Sequence, residues 1–139
     1  MKYNQLVVTF LISALLPACA NENKAIDLSN AEIVNFHRQF NELQFKELYK
    51  AASTDLKSVT TEADFIKLLK LEGNKLGKQV SSSEVGSSIN FSGKTVVTIN
   101  QNTTFEHGKG VESFRYVVSD NNCLLQGYNI TSNDLFIKK

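Results

Sequence analysis

The chain has 139 residues, 42% of them hydrophobic, and its 15 basic and 14 acidic residues leave a formal net charge of +1. This length and composition fit one globular domain with a modest core and exclude a wholly disordered protein. Two cysteines are too few for a disulfide-rich scaffold. The balanced charge also lacks the basic footprint of a nucleic-acid-binding protein, so we expect no nucleic-acid partner.

The N-terminus predicts an export signal. Lys2 supplies a positive charge, and residues 6–16 form an uncharged, mainly apolar run of 11 residues. A helix that crosses the hydrocarbon core needs about 20 apolar residues, so this run is typical of a cleaved signal peptide and not of a permanent anchor. Pro17 ends any helix directly before the expected cleavage region.

Two cleavage sites are compatible with the residues that follow. Residues 16–19, Leu-Pro-Ala-Cys, resemble the bacterial lipobox, which implies a signal peptide over residues 1–18 and lipid attachment at Cys19. Alternatively, Ala18 and Ala20 suit an ordinary signal peptidase that cuts after Ala20 and releases a soluble periplasmic or secreted protein. We favour the first. The resemblance to lipoproteins implies a palmitate-bearing anchor in the bacterial cell envelope with the domain in the periplasm, and Ala20 favours the outer membrane.

The mature chain divides into a short polar stretch and one domain. Residues 19–28 are predicted to form a polar tether, and residues 29–139 a single α+β domain. Cys19 is either lipidated or removed, so Cys123 is the thiol that the domain keeps. The apolar neighbours of Cys123 predict a small buried hydrophobic residue and not a nucleophile.

Helical patterns occupy the first half of this domain. Ser29 and Glu32 have the spacing of a capping box, which predicts a first helix over about residues 30–43. Its apolar stripe contains Phe36 and Phe40. Further helical segments are predicted at about residues 45–52 and from Thr61 to a C-terminal cap at Gly77.

From Gln79 onward the hydrophobic pattern alternates, which is typical of strands. The intervening residues suit hairpin turns, so the strands are predicted to form an antiparallel meander, because parallel strands would need long crossover connections. The helices are predicted to pack on one face of this four-stranded sheet in an α+β fold. The four runs lie at about residues 79–91, 95–105, 111–119 and 123–131.

Short motifs in this arrangement resemble small exported bacterial proteins of unknown function in the cystatin-like, or nuclear transport factor two-like, superfamily. The matching segments are residues 45–49, 65–77 and 126–130, within a resemblance that spans residues 30–131. The tryptophan usual near the last strand is replaced by Cys-Leu-Leu at residues 123–125. The resemblance implies a curved sheet wrapped round the first helix as a cone-shaped roll. It implies no single activity, because this fold hosts isomerases, dehydratases, binding modules and assembly domains.

Few residues suggest chemistry. The sequence has no metal-ligand spacing and no phosphate-binding loop, so we expect no metal and no cofactor. His37 is interpreted as a boundary residue of the first helix; the alternative places it at the mouth of the cone, near Tyr116 or Tyr128, as a general acid or base. Glu112 shares the strand face of the inward aromatic residues, but it is expected to be exposed because it lies where a strand starts.

Three functional hypotheses follow. We favour a noncatalytic envelope lipoprotein, a binding or accessory module that holds another envelope protein or a small apolar ligand. The second is an enzyme in which His37 and Tyr128 or Tyr116 carry proton transfer. The third is a structural protein that assembles through its sheet as a homodimer.

Overall fold

The computed structural model describes residues 18–136, with side-chain surroundings for residues 21–136. Four helices precede four strands, so the predicted α+β class is confirmed. The strands form an open antiparallel sheet in the order β1-β2-β3-β4, as the sequence predicts. The elements are α1 (Ala18–Asn41), α2 (Phe45–Ala51), α3 (Thr54–Val59), α4 (Glu62–Leu76), β1 (Gln79–Asn90), β2 (Thr95–Phe105), β3 (Gly108–Ser119), β4 (Asn122–Thr131) and a 3-10 turn (Asn133–Leu135).

The predicted signal peptide, apart from Ala18, lies outside the described residues, as does the side chain of Cys19. Between residues 18 and 136 no helix is both long and apolar enough to cross a membrane.

Helix α1 starts well before the predicted position near residue 30. Residues 19–28, predicted as a tether, form its first turns, and Ala25 is buried while Ile26 and Leu28 pack against the core. The predicted capping box is wrong, because Ser29 lies inside the helix. Its hydroxyl donates to the Ala25 carbonyl oxygen one turn earlier, at 2.9 Å. A serine can make this bond within a helix, so its spacing to Glu32 did not mark a helix start.

The ends of α4 agree with the sequence. The Thr61 side chain accepts a hydrogen bond from the Asp64 amide at 3.2 Å and so caps the N-terminus. The helix runs to Leu76, and Gly77 follows with φ of 78°, a conformation that favours glycine. The short helix α3 lies between two predicted helical segments, in a stretch where the sequence predicted no helix. It is capped by Ser53, whose hydroxyl accepts from the Leu56 amide.

The sheet register decides which side chains face the helices. On β2 and β3 the facing pairs include Ile99 with Phe114 and Gln101 with Glu112, and all four side chains are buried. Between β3 and β4 the register shifts after Arg115. This irregularity places one extra residue in β4. Leu125 and Tyr128 are three positions apart, yet they pair with Tyr116 and Phe114, which are two positions apart on β3.

The core lies between the helices and the inward face of β2, β3 and β4. Helix α1 contributes Ile33, Phe36 and Phe40, all buried. Strand β1 is an exposed edge of the sheet, and Phe91 lies just after it with 56% of its surface exposed. The middle of the core is therefore formed by α1, α4 and the three remaining strands.

Candidate functional site

Five polar side chains meet inside the core, and we call them the polar cluster. Each comes from a different element: α1, α4, β2, β3 and β4. Glu112 is 0% exposed, Glu72 is 1% exposed and His37 is 6% exposed. Burying so many polar groups is unfavourable unless each finds a partner. The members of the polar cluster are His37, Glu72, Thr103, Glu112 and Tyr128.

Local patterns explain why two of these residues point inward. His37 lies four positions after the buried Ile33, and therefore one helical turn along the same face of α1. Glu72 lies three positions after Leu69 and four before Leu76, both of them fully buried, so it belongs to the core stripe of α4.

The predicted exposure of Glu112 is wrong. Strand β3 begins at Gly108 and not near residue 111, so Glu112 lies well inside the strand. Its side chain points to the same face of the sheet as the buried Phe114, two positions later. It pairs with Gln101 of β2.

Glu112 is the centre of the cluster. His37 Nε2 lies 2.8 Å from Glu112 Oε2, and the Thr103 hydroxyl donates to the same oxygen. The Tyr128 hydroxyl lies 2.8 Å from Glu112 Oε1. On its other side, this hydroxyl lies 2.8 and 2.9 Å from the two carboxyl oxygens of Glu72. A single tyrosine hydroxyl thus joins two carboxyl groups.

The environment keeps a proton on one of the two carboxyls. Burial and, after it, the nearby charge of Glu112 raise the pKa of Glu72 to about 8, although the hydrogen bond from Tyr128 acts in the opposite direction. Burial, followed by the charges of Glu112 and Glu72, also holds the pKa of Tyr128 well above its ordinary value.

The hydrogen bonds of the polar cluster can be ordered from donor to acceptor. The Tyr128 hydroxyl has one proton and donates to one carboxyl at a time. When Glu72 is protonated, as its pKa of about 8 favours at neutral pH, Glu72 can donate to the Tyr128 oxygen while Tyr128 donates to Glu112. His37 Nε2 and the Thr103 hydroxyl reach the same oxygen of Glu112, so the path continues to the imidazole. The arrangement can hold a proton and pass it along a continuous path of hydrogen bonds.

A second feature is a pocket of about 300 Å³ between α1, α2 and the β3–β4 hairpin, which we call the hairpin pocket. Its apolar lining consists of Phe36, Leu48, Ala51, Tyr116, Leu124 and Leu125. Its polar lining consists of Glu32, Asn35, Gln39, Asn121, Asn122 and Cys123.

The structure separates the three candidate residues that the sequence singled out. His37 and Tyr128 belong to the polar cluster, where both contact Glu112. Tyr116 lines the hairpin pocket instead, with its ring stacked on Phe114 at 6.3 Å between centroids. Phe36 contacts both regions, because it lines the pocket while its ring centroid lies 4.8 Å from that of Tyr128.

Sequence reasoning missed Glu72 and Thr103 and misjudged Glu112. Glu72 could have been found from its position on the leucine stripe of α4, where a charged residue interrupts the apolar pattern. Thr103 gave no comparable signal, because threonine is common on both faces of strands.

Cys123 lies at the pocket as a partly buried thiol. Burial raises its pKa to about 11, while a contact with the Ser29 hydroxyl at 3.7 Å lowers it and the charge of Glu32 raises it. The thiol therefore stays protonated at neutral pH and has little nucleophilic character. Within residues 18–136, no group of three or more His, Cys, Asp or Glu side chains is placed to hold a metal ion.

No protein-family model, no curated protein and no solved structure matches the chain. The polar cluster and the hairpin pocket are therefore interpreted from their own geometry.

Proposed function

We propose that the chain is a noncatalytic lipoprotein of the bacterial cell envelope, whose domain binds a small ligand in the hairpin pocket. The observation that carries this proposal is the mixed lining of the pocket, with aromatic and aliphatic walls beside a few polar groups. Sites for small molecules have this composition, and a volume of about 300 Å³ lies at the lower end of their usual range.

The walls of the pocket support a preformed site. Phe36, Leu48 and Leu125 are all buried members of the core. Side chains held by core packing keep their positions when a ligand enters, which reduces the entropy lost on binding. The α+β arrangement is also compatible with the cystatin-like roll that the sequence resembles, and that roll is part of the proposal.

Attachment to the envelope rests on the lipobox at residues 16–19. Two or more acyl chains at Cys19 would give stable anchoring without a basic patch. Replacing Cys19 with serine is expected to abolish labelling by a palmitate analogue. Labelling that persists in Cys19→Ser would contradict the lipid anchor but not the binding pocket.

The binding function is tested by filling the pocket. The mature protein, purified in detergent from its own envelope, is expected to retain a small molecule that mass spectrometry detects. Ala51 is exposed on α2 and lines the pocket, so Ala51→Trp should eliminate the retained molecule by occupying its space. Lys50→Trp places the same side chain on the neighbouring exposed position, which is not among the lining residues, and should retain the molecule.

Two outcomes would contradict the binding function. One is that the wild-type protein retains no small molecule. The other is that Ala51→Trp retains it as well as Lys50→Trp does, which would place the ligand elsewhere.

An enzyme is the second candidate, and the polar cluster favours it. Glu72, with a pKa of about 8, is linked through the Tyr128 hydroxyl to Glu112, and His37 lies 2.8 Å from Glu112. Groups with strongly shifted pKa values are common in active sites. Phe36 would connect a substrate in the pocket to this cluster, since it contacts both. Under this hypothesis Tyr128→Phe leaves the retained molecule bound but blocks its conversion, so chemical turnover by the wild-type protein decides between the two.

A further inference from the structure

We infer that the hairpin pocket selects a ligand in which a protonated amine is attached to a short apolar body. This inference rests on the proposed binding function and adds the chemical class of the ligand. It is carried by two acceptor groups of α1 at the pocket wall that lack partners able to satisfy them.

The first acceptor is the amide oxygen of Gln39. Gln39 Oε1 is buried, and no hydrogen-bond partner for it exists among the described residues. The other end of the same amide is engaged, because Gln39 Nε2 donates to Asn35 Oδ1 at 3.1 Å. The orientation of the amide is therefore set, and a ligand donor can reach its oxygen only after a small movement of the pocket wall.

Two other glutamine oxygens, those of Gln101 and Gln126, are also buried without a partner. Neither residue lines the hairpin pocket. Gln39 is thus the member of this group whose missing donor a pocket ligand could provide.

The second acceptor is the carboxylate of Glu32, the charged residue among those that line the pocket. Its hydrogen bond is long, 3.3 Å from Asn35 Nδ2 to Glu32 Oε2. Within residues 21–136, no Lys, Arg or His forms an ion pair with it. A partly buried carboxylate without a cation favours a ligand that brings one.

The two acceptors lie on one face of α1. Glu32 and Gln39 lie two turns apart on α1, but both bond to the amide of Asn35 that lies between them. One polar strip therefore runs along this wall, with acceptors at both ends.

Two cations lie near this wall, and each is engaged elsewhere. Lys24 Nζ donates to Asn121 Oδ1 at 2.9 Å, and Arg38 pairs with Glu42 at 2.8 Å while it also donates to Asn35. Both cationic side chains are in exposed contacts, where water and salt weaken their repulsion of a bound amine.

The remaining walls suit the apolar body of such a ligand. Phe36 and Tyr116 present aromatic rings, which attract an organic cation through their electron-rich faces. Burial raises the pKa of Tyr116 well above its ordinary value, so its hydroxyl stays neutral. A ligand carboxylate would instead face Glu32 and be repelled.

Three probes with the same ring and different ends test the inference: 2-phenylethylamine, 2-phenylethanol and phenylacetate. Each is titrated into the mature protein in detergent, and binding is followed by the amide NMR shifts of residues 121–125, which line the pocket. The amine is expected to bind about tenfold more tightly than the alcohol, as one charge-assisted hydrogen bond provides. Phenylacetate should bind most weakly.

The variant Glu32→Gln removes the negative charge of the pocket and keeps the size of the side chain. It should bring the affinity for the amine down to that for the alcohol, about a tenfold loss, and leave the alcohol unchanged. Glu42→Gln is the matched control, because Glu42 directly follows α1, pairs with Arg38 and is not a lining residue. Both variants keep the size of the side chain, and equal thermal midpoints verify that they fold.

Several outcomes would overturn the amine assignment. The alcohol or the acid could bind as tightly as the amine, Glu32→Gln could leave the affinity for the amine unchanged, or no probe could shift residues 121–125. In all three cases the proposed function is judged separately. It stands if the purified protein retains a small molecule that Ala51→Trp eliminates.

Discussion

The polar cluster and the hairpin pocket share the Phe36 ring, but they treat polar groups in opposite ways. In the cluster, Glu112 is hydrogen-bonded to three side chains, and Tyr128 joins it to Glu72. In the pocket, Gln39 Oε1 has no partner among the described residues. The comparison teaches that burial alone does not identify a ligand site. A buried polar group with all of its hydrogen bonds made stabilises the fold, whereas one that lacks a hydrogen-bond partner can accept one from a ligand.

The largest expected effect is a dependence of stability on pH that originates in the cluster. Glu72 has a pKa of about 8 in the folded state, against an ordinary value of 4.5. Below pH 4.5 the group is protonated in both states. As the pH rises from 4.5 to 8 the unfolded chain loses this proton first, so the free energy of unfolding falls, by at most about 5 kcal/mol.

Urea denaturation at pH 5, 6.5 and 8.5 measures this slope. Glu72→Gln keeps the shape of the side chain but cannot ionise, so it should flatten the profile over the same range. An equally steep profile in Glu72→Gln would mean that another group produces the dependence, and that the cluster does not hold a proton on Glu72.

The second effect is the loss of the central acceptor. Glu112→Ala leaves the donors of His37, Thr103 and Tyr128 without their shared partner in the core. Breaking a buried network in this way is expected to lower the free energy of unfolding at pH 7 by about 3–5 kcal/mol.

Glu84→Ala is the control for this substitution, because Glu84 is exposed on β1 and accepts one bond, from Asn30 at 3.2 Å. It should lose less than about 1 kcal/mol. Equal losses in the two variants would show that the cluster contributes no more to stability than a surface contact.

The smallest effect is expected in the pocket. Gln39→Leu removes an acceptor that has no partner, together with one bond to Asn35. Because these two changes oppose each other, the free energy of unfolding without ligand should stay within about 0.5 kcal/mol of the wild-type value. A loss of 2 kcal/mol or more would mean that Gln39 belongs to the structural polar groups and would erase the difference between the two regions.

Local signals in the sequence predicted most element boundaries. Thr61 and Gly77 mark the two ends of α4 because capping depends on residues within one turn of the helix end. The same kind of signal misled at Ser29, whose hydroxyl bonds back to Ala25 inside a longer helix. A short polar residue can serve either purpose, and only the packing of Ala25 against the core decides between them.

The candidate sites were less predictable for a different reason. His37 and Tyr128 were recognised as residue types capable of acid–base chemistry, but their common partner Glu112 was placed at an exposed strand start. Its burial depends on where β3 begins relative to β2, and a strand boundary is the least certain feature of an alternating pattern. Tyr128 faces the core beside Leu125 because of the register shift after Arg115, which simple alternation does not predict.

The amino-acid sequence by itself determined the order of helices and strands, the antiparallel meander and the α+β class, because hydrophobic period and turn residues are local properties. Only the tertiary structure decided that Glu72 and Tyr128, 56 residues apart, share a hydrogen bond, and that Glu112 joins them to His37. It likewise left Gln39 Oε1 without a donor. The physical reason is that hydrogen bonding in a core depends on distances between elements distant in sequence, which packing sets and no local pattern records.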